Sequence, residues 1–172
     1  LQLSHEIIHD LREIKNEKVC AQVNELVNLA HSEGINEVLL WDHSLYNIDY
    51  YPERFRTGPG GTIDLDNPEF WEWLKDDYRQ MLDRVSEADG LVLTFIETGA
   101  YAERQFSKKM KSSEEKLAAV VNAISDVLIG ERKKKLYIRT FAYSEEEYKG
   151  TTGCIEYLKY DEVILMMKET PH

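Results

Sequence analysis

Four short apolar runs, "EVLLW", "GLVLTFI", "KLYIRTFAY" and "EVILMM", are spaced along the chain, and the text between them has the three- and four-residue periodicity of amphipathic helices. Runs of this length suit strands better than helices. Because they are apolar at consecutive positions, they read as strands buried on both faces, which implies parallel pairing beneath covering helices. The expected order is helix–strand, repeated four times, in a single α/β segment spanning residues 1–172. Four main strands are too few for a closed eight-stranded barrel, which needs about 250 residues. The alternatives are a small open sheet or about half of a (β/α)8 TIM barrel belonging to a longer chain.

The helical stretches carry their own boundary signals. Apolar residues recur from Ser4 to His31 with a break near Asn16, and Gly34 is placed to stop that helix. In "DNPEFWEWLKDDYRQMLDRV", Asp66 or Asn67 can cap, Pro68 suits the first turn, and Phe70, Trp73, Leu74, Tyr78, Met81, Leu82 and Val85 form one stripe. "SSEE" at Ser112 fits a capping box for a helix reaching about Ile129. A short polar helical segment precedes the last run. The Tyr-rich stretch from Asp42 to Phe70 is too long for a simple connection and is expected to be functional or to hold minor structure. Its "TGPGGT" lacks a strand before it and a helix after it, so it reads as a turn rather than a dinucleotide loop.

Composition removes several functions. A formal charge of −11 disfavours a nucleic-acid surface, which needs clustered Lys and Arg. The basic cluster "ERKKKLY" instead suits a helix C-terminus. No run approaches the roughly 20 apolar residues of a membrane helix, and the first residues resemble neither a signal nor a transit peptide. The composition is that of a soluble globular protein, with the compartment left open. Cys20 and Cys154 form no CxxC, and His5 and His9 lack a third ligand, so no metal or organic cofactor is indicated. Acyl-transfer elbows and P-loops are also missing.

In parallel α/β proteins, binding groups gather where strands pass into loops at their C-terminal ends. Those positions hold Asp42 and His43, then Glu97, then Tyr143, then Lys168 and Glu169. For Asp42 and His43, sugar contact and loop capping are equally open. Arg139 lies inside its strand, where a charge needs a partner, either a substrate carboxylate or a structural acid. Carboxylates in a cleft with Trp41, Tyr46, Tyr50, Tyr51 and Tyr143 suit glycoside hydrolysis, although each aromatic taken singly also fits core packing.

From Thr62 to His172 the sequence resembles the central barrel of α-glucuronidases, the family 67 glycoside hydrolases. "TIDLDNPEFWEWLKDDYRQML" resembles a family helix that leads into the acid-bearing strand, and "ADGLVLTFIETG" resembles that strand. "YIRTFAY" and "LMMK" resemble the two strands that follow. The resemblance implies that Glu97 is the general acid, with Arg139 and Lys168 contacting a uronate carboxylate. Its substrate class is an oligosaccharide or polysaccharide, including uronic-acid-bearing xylan, cleaved with inversion. Burial against Phe95 and Ile96 is expected to keep Glu97 protonated. Two departures stand out. The family's lysine before its general acid is missing, with Leu93 and Thr94 in that neighbourhood, and the family's base aspartate falls just past His172. The chain is therefore expected to be part of a larger enzyme and inactive alone. The competing expectations are a non-catalytic carbohydrate-binding or interaction domain, and a small α/β protein whose strand-end charges satisfy one another.

Overall fold

Each apolar run becomes a strand of one parallel sheet. The computed structural model describes residues 1–3, 12 and 16–167. Its strands are β1 (Gln2–Leu3), β2 (Leu39–His43), β3 (Gly90–Thr94), β4 (Lys135–Arg139) and β5 (Ile164–Met166). The main helices are α1 (Glu17–Ser32), α2 (Pro68–Arg84), α3 (Ser113–Ser125) and α4 (Glu145–Gly153). β1 is an addition to the sequence reading, since two residues are too few to display a strand's alternation. Apart from Arg12, the expected helical text before Asn16, with His5 and His9, lies outside the described residues.

The five strands pair in sequence order, all parallel. When every crossover joins immediate neighbours with the same hand, the helices collect on one face of the sheet. The core shows this arrangement. Leu40, Leu91, Leu93, Leu136 and Ile138 on one strand face join Val23 and Val27 of α1, Leu74 of α2 and Val121 of α3 in a single cluster. The opposite face holds a second cluster of Leu39, Trp41 and Val92, against which Tyr137 and Met166 pack. Burial on both faces therefore holds for β2 and β3. In β4 and β5 the residues of this second face are half-buried or exposed. Trp41, Val92, Tyr137 and Ile164 lie in one register row across the sheet.

The helix boundaries follow local chemistry. The Asn16 side chain accepts the Lys18 N–H at 2.8 Å and starts α1. Gly34, at φ +85, takes the left-handed turn beyond its end. Asn67, not Asp66, caps α2, and Pro68 stands in its first turn. Asp66 instead accepts from Ser107 Oγ at 2.7 Å and from the Lys108 N–H at 2.6 Å, tying the start of α2 to the β3–α3 connection. Ser112 and Glu115 form the expected capping box on α3, and a π-helical turn, Asp126–Glu131, continues that helix. In the basic cluster, Lys133 Nζ donates to the Gly130 carbonyl and Lys134 Nζ to the Ser86 carbonyl. These lysines satisfy chain ends, as the dipole argument anticipated.

The long β2–α2 connection carries three single 3-10 turns, Ile48–Tyr50, Glu53–Phe55 and Pro59–Gly61. Its aromatics face inward. Tyr51 packs edge-on against Phe70 and Trp73, and Phe55 also meets Phe70. Tyr50 donates to Asp77 at 2.6 Å. These rings hold the connection onto α2, each buried ring contributing on the order of 1.5–3 kcal/mol through removal from water. Tyr50 and Tyr51 therefore belong to packing.

Among the described residues no helix is long and apolar enough to cross a membrane, and no group of three His, Cys, Asp or Glu is placed to hold a metal ion. Cys20 and Cys154 are free thiols buried in the core. Burial pushes the Cys154 thiol up to about 12, so almost no thiolate exists at neutral pH. Ellman's reagent should titrate neither thiol rapidly in the native protein and both after unfolding in urea. Fast native labelling of Cys154 would contradict this packing.

Candidate active site

Side chains alternate between the two faces of a strand, and this separates two neighbours that the sequence left together. Asp42 points with Leu40 toward the helices and is fully buried. Its carboxylate accepts from Tyr78 Oη at 2.6 Å and from Arg12 Nη1 at 3.2 Å. Arg12 also donates to Tyr78 Oη at 3.0 Å and to the His43 carbonyl at 2.9 Å. Asp42 is thus held in a structural ion-pair network beneath α2, which corrects its candidacy as a sugar ligand. His43 shares the face of Trp41 and lies in register with Thr94 at the C-terminal end of β3.

Arg139 lies on this same second face. Its guanidinium sits between two aromatic rings, 4.7 Å from the Trp41 centroid and 4.9 Å from that of Phe141. Among the described residues its guanidinium makes no ion pair and no hydrogen bond. Aromatic faces attract a cation without neutralising it, so the donors of Arg139 stay available for an external acceptor. Phe141 then meets Tyr143 edge-on at 5.2 Å, and the Tyr143 hydroxyl donates to Glu97 Oε1. Trp41, Arg139, Phe141, Tyr143 and Glu97 therefore form one unbroken line of contacts at the C-terminal ends of β2, β3 and β4. Four of the seven candidates read from the sequence lie on it.

Glu97 reaches this line in a way the sequence did not suggest. β3 ends at Thr94, and Phe95 and Ile96 are buried by loop packing rather than by strand pairing. Glu97 follows with φ 61, in the left-handed region, and its side chain is exposed. The expected burial of this carboxyl is absent. A non-glycine residue in that region costs on the order of 1–3 kcal/mol and persists only when its surroundings hold it there. Two contacts supply the hold. Thr98 Oγ1 donates to the Leu45 carbonyl at 2.6 Å, and Gly99 lies so close to Asn47 that a Cβ would stand 2.3 Å from Asn47 Oδ1. The β3–α3 loop is thereby locked onto the β2–α2 connection, and Glu97 turns back over the strand ends.

The bond to Glu97 pushes the Tyr143 phenol above the ordinary tyrosine range. Lys168 and Glu169 lie outside the described residues. Three residues of this region escaped the sequence reading. Phe141 was identifiable from its spacing, two beyond Arg139. Thr94, whose buried hydroxyl has no hydrogen-bond partner among the described residues, occupies the strand-end position facing the same side as His43. Glu147, which accepts the Tyr143 N–H at 2.9 Å, carries no local signal beyond its place three residues after a serine.

A cavity of about 420 Å³ lies between the first turns of α3 and α4. Ile96, Glu103 and Glu147 line it, whereas Glu97, Arg139 and Tyr143 do not. Burial raises the Glu103 carboxyl above the usual carboxylate range. The strand-end line is the better chemical candidate because it pairs an exposed carboxylate with an unneutralised cation. Such a pair can exchange a proton at one point of a substrate while holding an anionic group at another. The sequence matches no family model, and no curated protein matches it either.

Proposed function

We propose that this chain is part of the catalytic barrel of a glycoside hydrolase resembling the α-glucuronidases, acting on uronic-acid-bearing oligosaccharides or polysaccharides. The observation that carries this reading is the contact line from Trp41 through Arg139 and Tyr143 to Glu97 at the strand ends. Sequential parallel strands with helices on one face are the arrangement from which a (β/α)8 barrel is built, and they support half-barrel geometry. In that barrel the face carrying Trp41 and Arg139 turns toward the axis, where substrate binds at the C-terminal end.

Glu97, exposed to solvent, takes up a proton from water and passes it to the departing sugar oxygen. Arg139 holds the substrate carboxylate with its paired donors, and the rings of Trp41 and Phe141 keep the guanidinium flat and oriented. The resemblance gives Lys168 a second contact to the uronate, whereas His43, beside Thr94, is buried at the end of its strand. The base that activates water comes from a neighbouring segment, about 6.5–9.5 Å from Glu97 for inversion. No cofactor takes part in such acid–base hydrolysis.

The test compares two substrates of the complete enzyme. Arg139→Ala should raise KM for an aldouronic acid by about tenfold or more, as expected for a lost charged hydrogen-bond partner, and leave KM for a neutral 4-nitrophenyl glycoside within about twofold. Equal effects on both substrates would remove Arg139 from carboxylate recognition. Binding of the acidic saccharide without turnover by the parent enzyme would favour the carbohydrate-binding module instead.

A further inference from the structure

A hydrogen bond between two exposed side chains competes with water and survives only when both partners are held in place. Tyr143 is 66% exposed and Glu97 is exposed as well, yet they are bonded. The main chain of Glu97 is fixed by Thr98 and Gly99. The hold on Tyr143 comes from the start of α4. Glu147 Oε2 accepts the Tyr143 N–H at 2.9 Å, and the Glu147 N–H donates to Ser144 Oγ at 3.2 Å. Thr151 Oγ1 then donates to the Glu147 carbonyl at 2.9 Å. The first turn of α4 is thus a clamp on the residue that precedes it.

The geometry points to Glu147 as a positioning residue: it fixes the main chain of Tyr143, and Tyr143 in turn fixes the carboxylate of Glu97. The Glu147 carboxylate replaces the interaction that an ordinary capping box makes with its own N-cap residue. It bonds one residue earlier, at the chain that carries the phenol. Swinging Tyr143 away would leave Glu97 without a side-chain partner among the described residues. The kinetic consequence rests on the glycosidase reading; the structural consequence does not.

Two variants separate an anchoring role from a charge effect. Glu147→Gln keeps an oxygen that accepts the Tyr143 N–H but loses the charge, whereas Glu147→Ala loses both. The direct readout is the titration of the Tyr143 phenol, followed by NMR of tyrosine labelled at Cζ and assigned through Tyr143→Phe. In the parent protein this resonance should titrate above the ordinary tyrosine range. Glu147→Gln should keep it nearly there, and Glu147→Ala should return it toward the ordinary range. Identical titrations for the two variants would overturn the anchor, whatever reaction the protein performs. In the complete enzyme, Glu147→Ala should lower kcat about tenfold with KM within about twofold, and Glu147→Gln should restore kcat to within about twofold of the parent. Equal kcat losses in both variants would likewise overturn it. Absence of any saccharide hydrolysis by the parent would count against the functional reading, and the titration would still decide the role of Glu147.

Discussion

Replacing Glu97 by Gln in the complete enzyme is expected to lower kcat on an aldouronic acid by about 10²–10⁴-fold, the usual weight of a positioned proton donor. The amide has nearly the shape of the carboxyl and still accepts from Tyr143, but it has no proton to give. A substrate whose leaving group departs without protonation, such as a 2,4-dinitrophenyl glycoside, should lose far less. That contrast identifies the role, since a residue needed only for binding or shape would cost both substrates equally. Equal losses would sink Glu97 as the acid. Stability should change by no more than about 0.5 kcal/mol, because the side chain is exposed.

Asp42→Ala should show the reverse pattern, with a large effect on stability. It removes the carboxylate that meets both Arg12 and Tyr78 inside the protein. Removing one partner of a buried ion pair costs up to about 3–5 kcal/mol. Asp77, 3.9 Å from Arg12 Nε, keeps a longer ion pair with the guanidinium and moderates that loss. Asp42→Asn should fall between the parent and the alanine variant, since its amide oxygen still accepts one of the two donors. Urea unfolding followed by circular dichroism measures this as a lower midpoint at unchanged slope. A loss below about 1 kcal/mol, typical of an exposed pair, would mean that water reaches Arg12. Glu97 and Asp42 are both acids near strand ends, and they are expected to fail in opposite assays.

That pair also shows where sequence reasoning succeeded and where it stopped. Caps depend on residues within a single turn, so Ser112 with Glu115, Asn67 with Pro68, and Gly34 were legible directly. The end of β3 was not legible. Phe95 and Ile96 are as apolar as the strand before them, and hydrophobicity does not distinguish a residue buried by pairing from one buried by a loop. Asp42 and His43 were treated alike because both follow "EVLLW", although strict alternation from Trp41 would have set them on opposite faces. Arg12, Thr98 and Glu147 act through partners distant in sequence or in the next turn, and no local pattern marks such a role. The left-handed turn at Glu97 was hidden for a related reason, because glutamate is not a residue that advertises positive φ.

The order of the strands bears on how the molecule is made. Every strand from β2 onward pairs with the one synthesised just before it, so each completed strand–helix unit finds its docking edge already waiting. Among the described residues no strand from β2 to β5 has to insert between two already paired, which keeps the search short and limits exposed sticky intermediates. On the ribosome these strands can add by accretion in the order β1 to β5. The candidate chemistry would mature in the same sequence, the Trp41 platform first, Glu97 next, and last the α4 turn that sets Tyr143 over it.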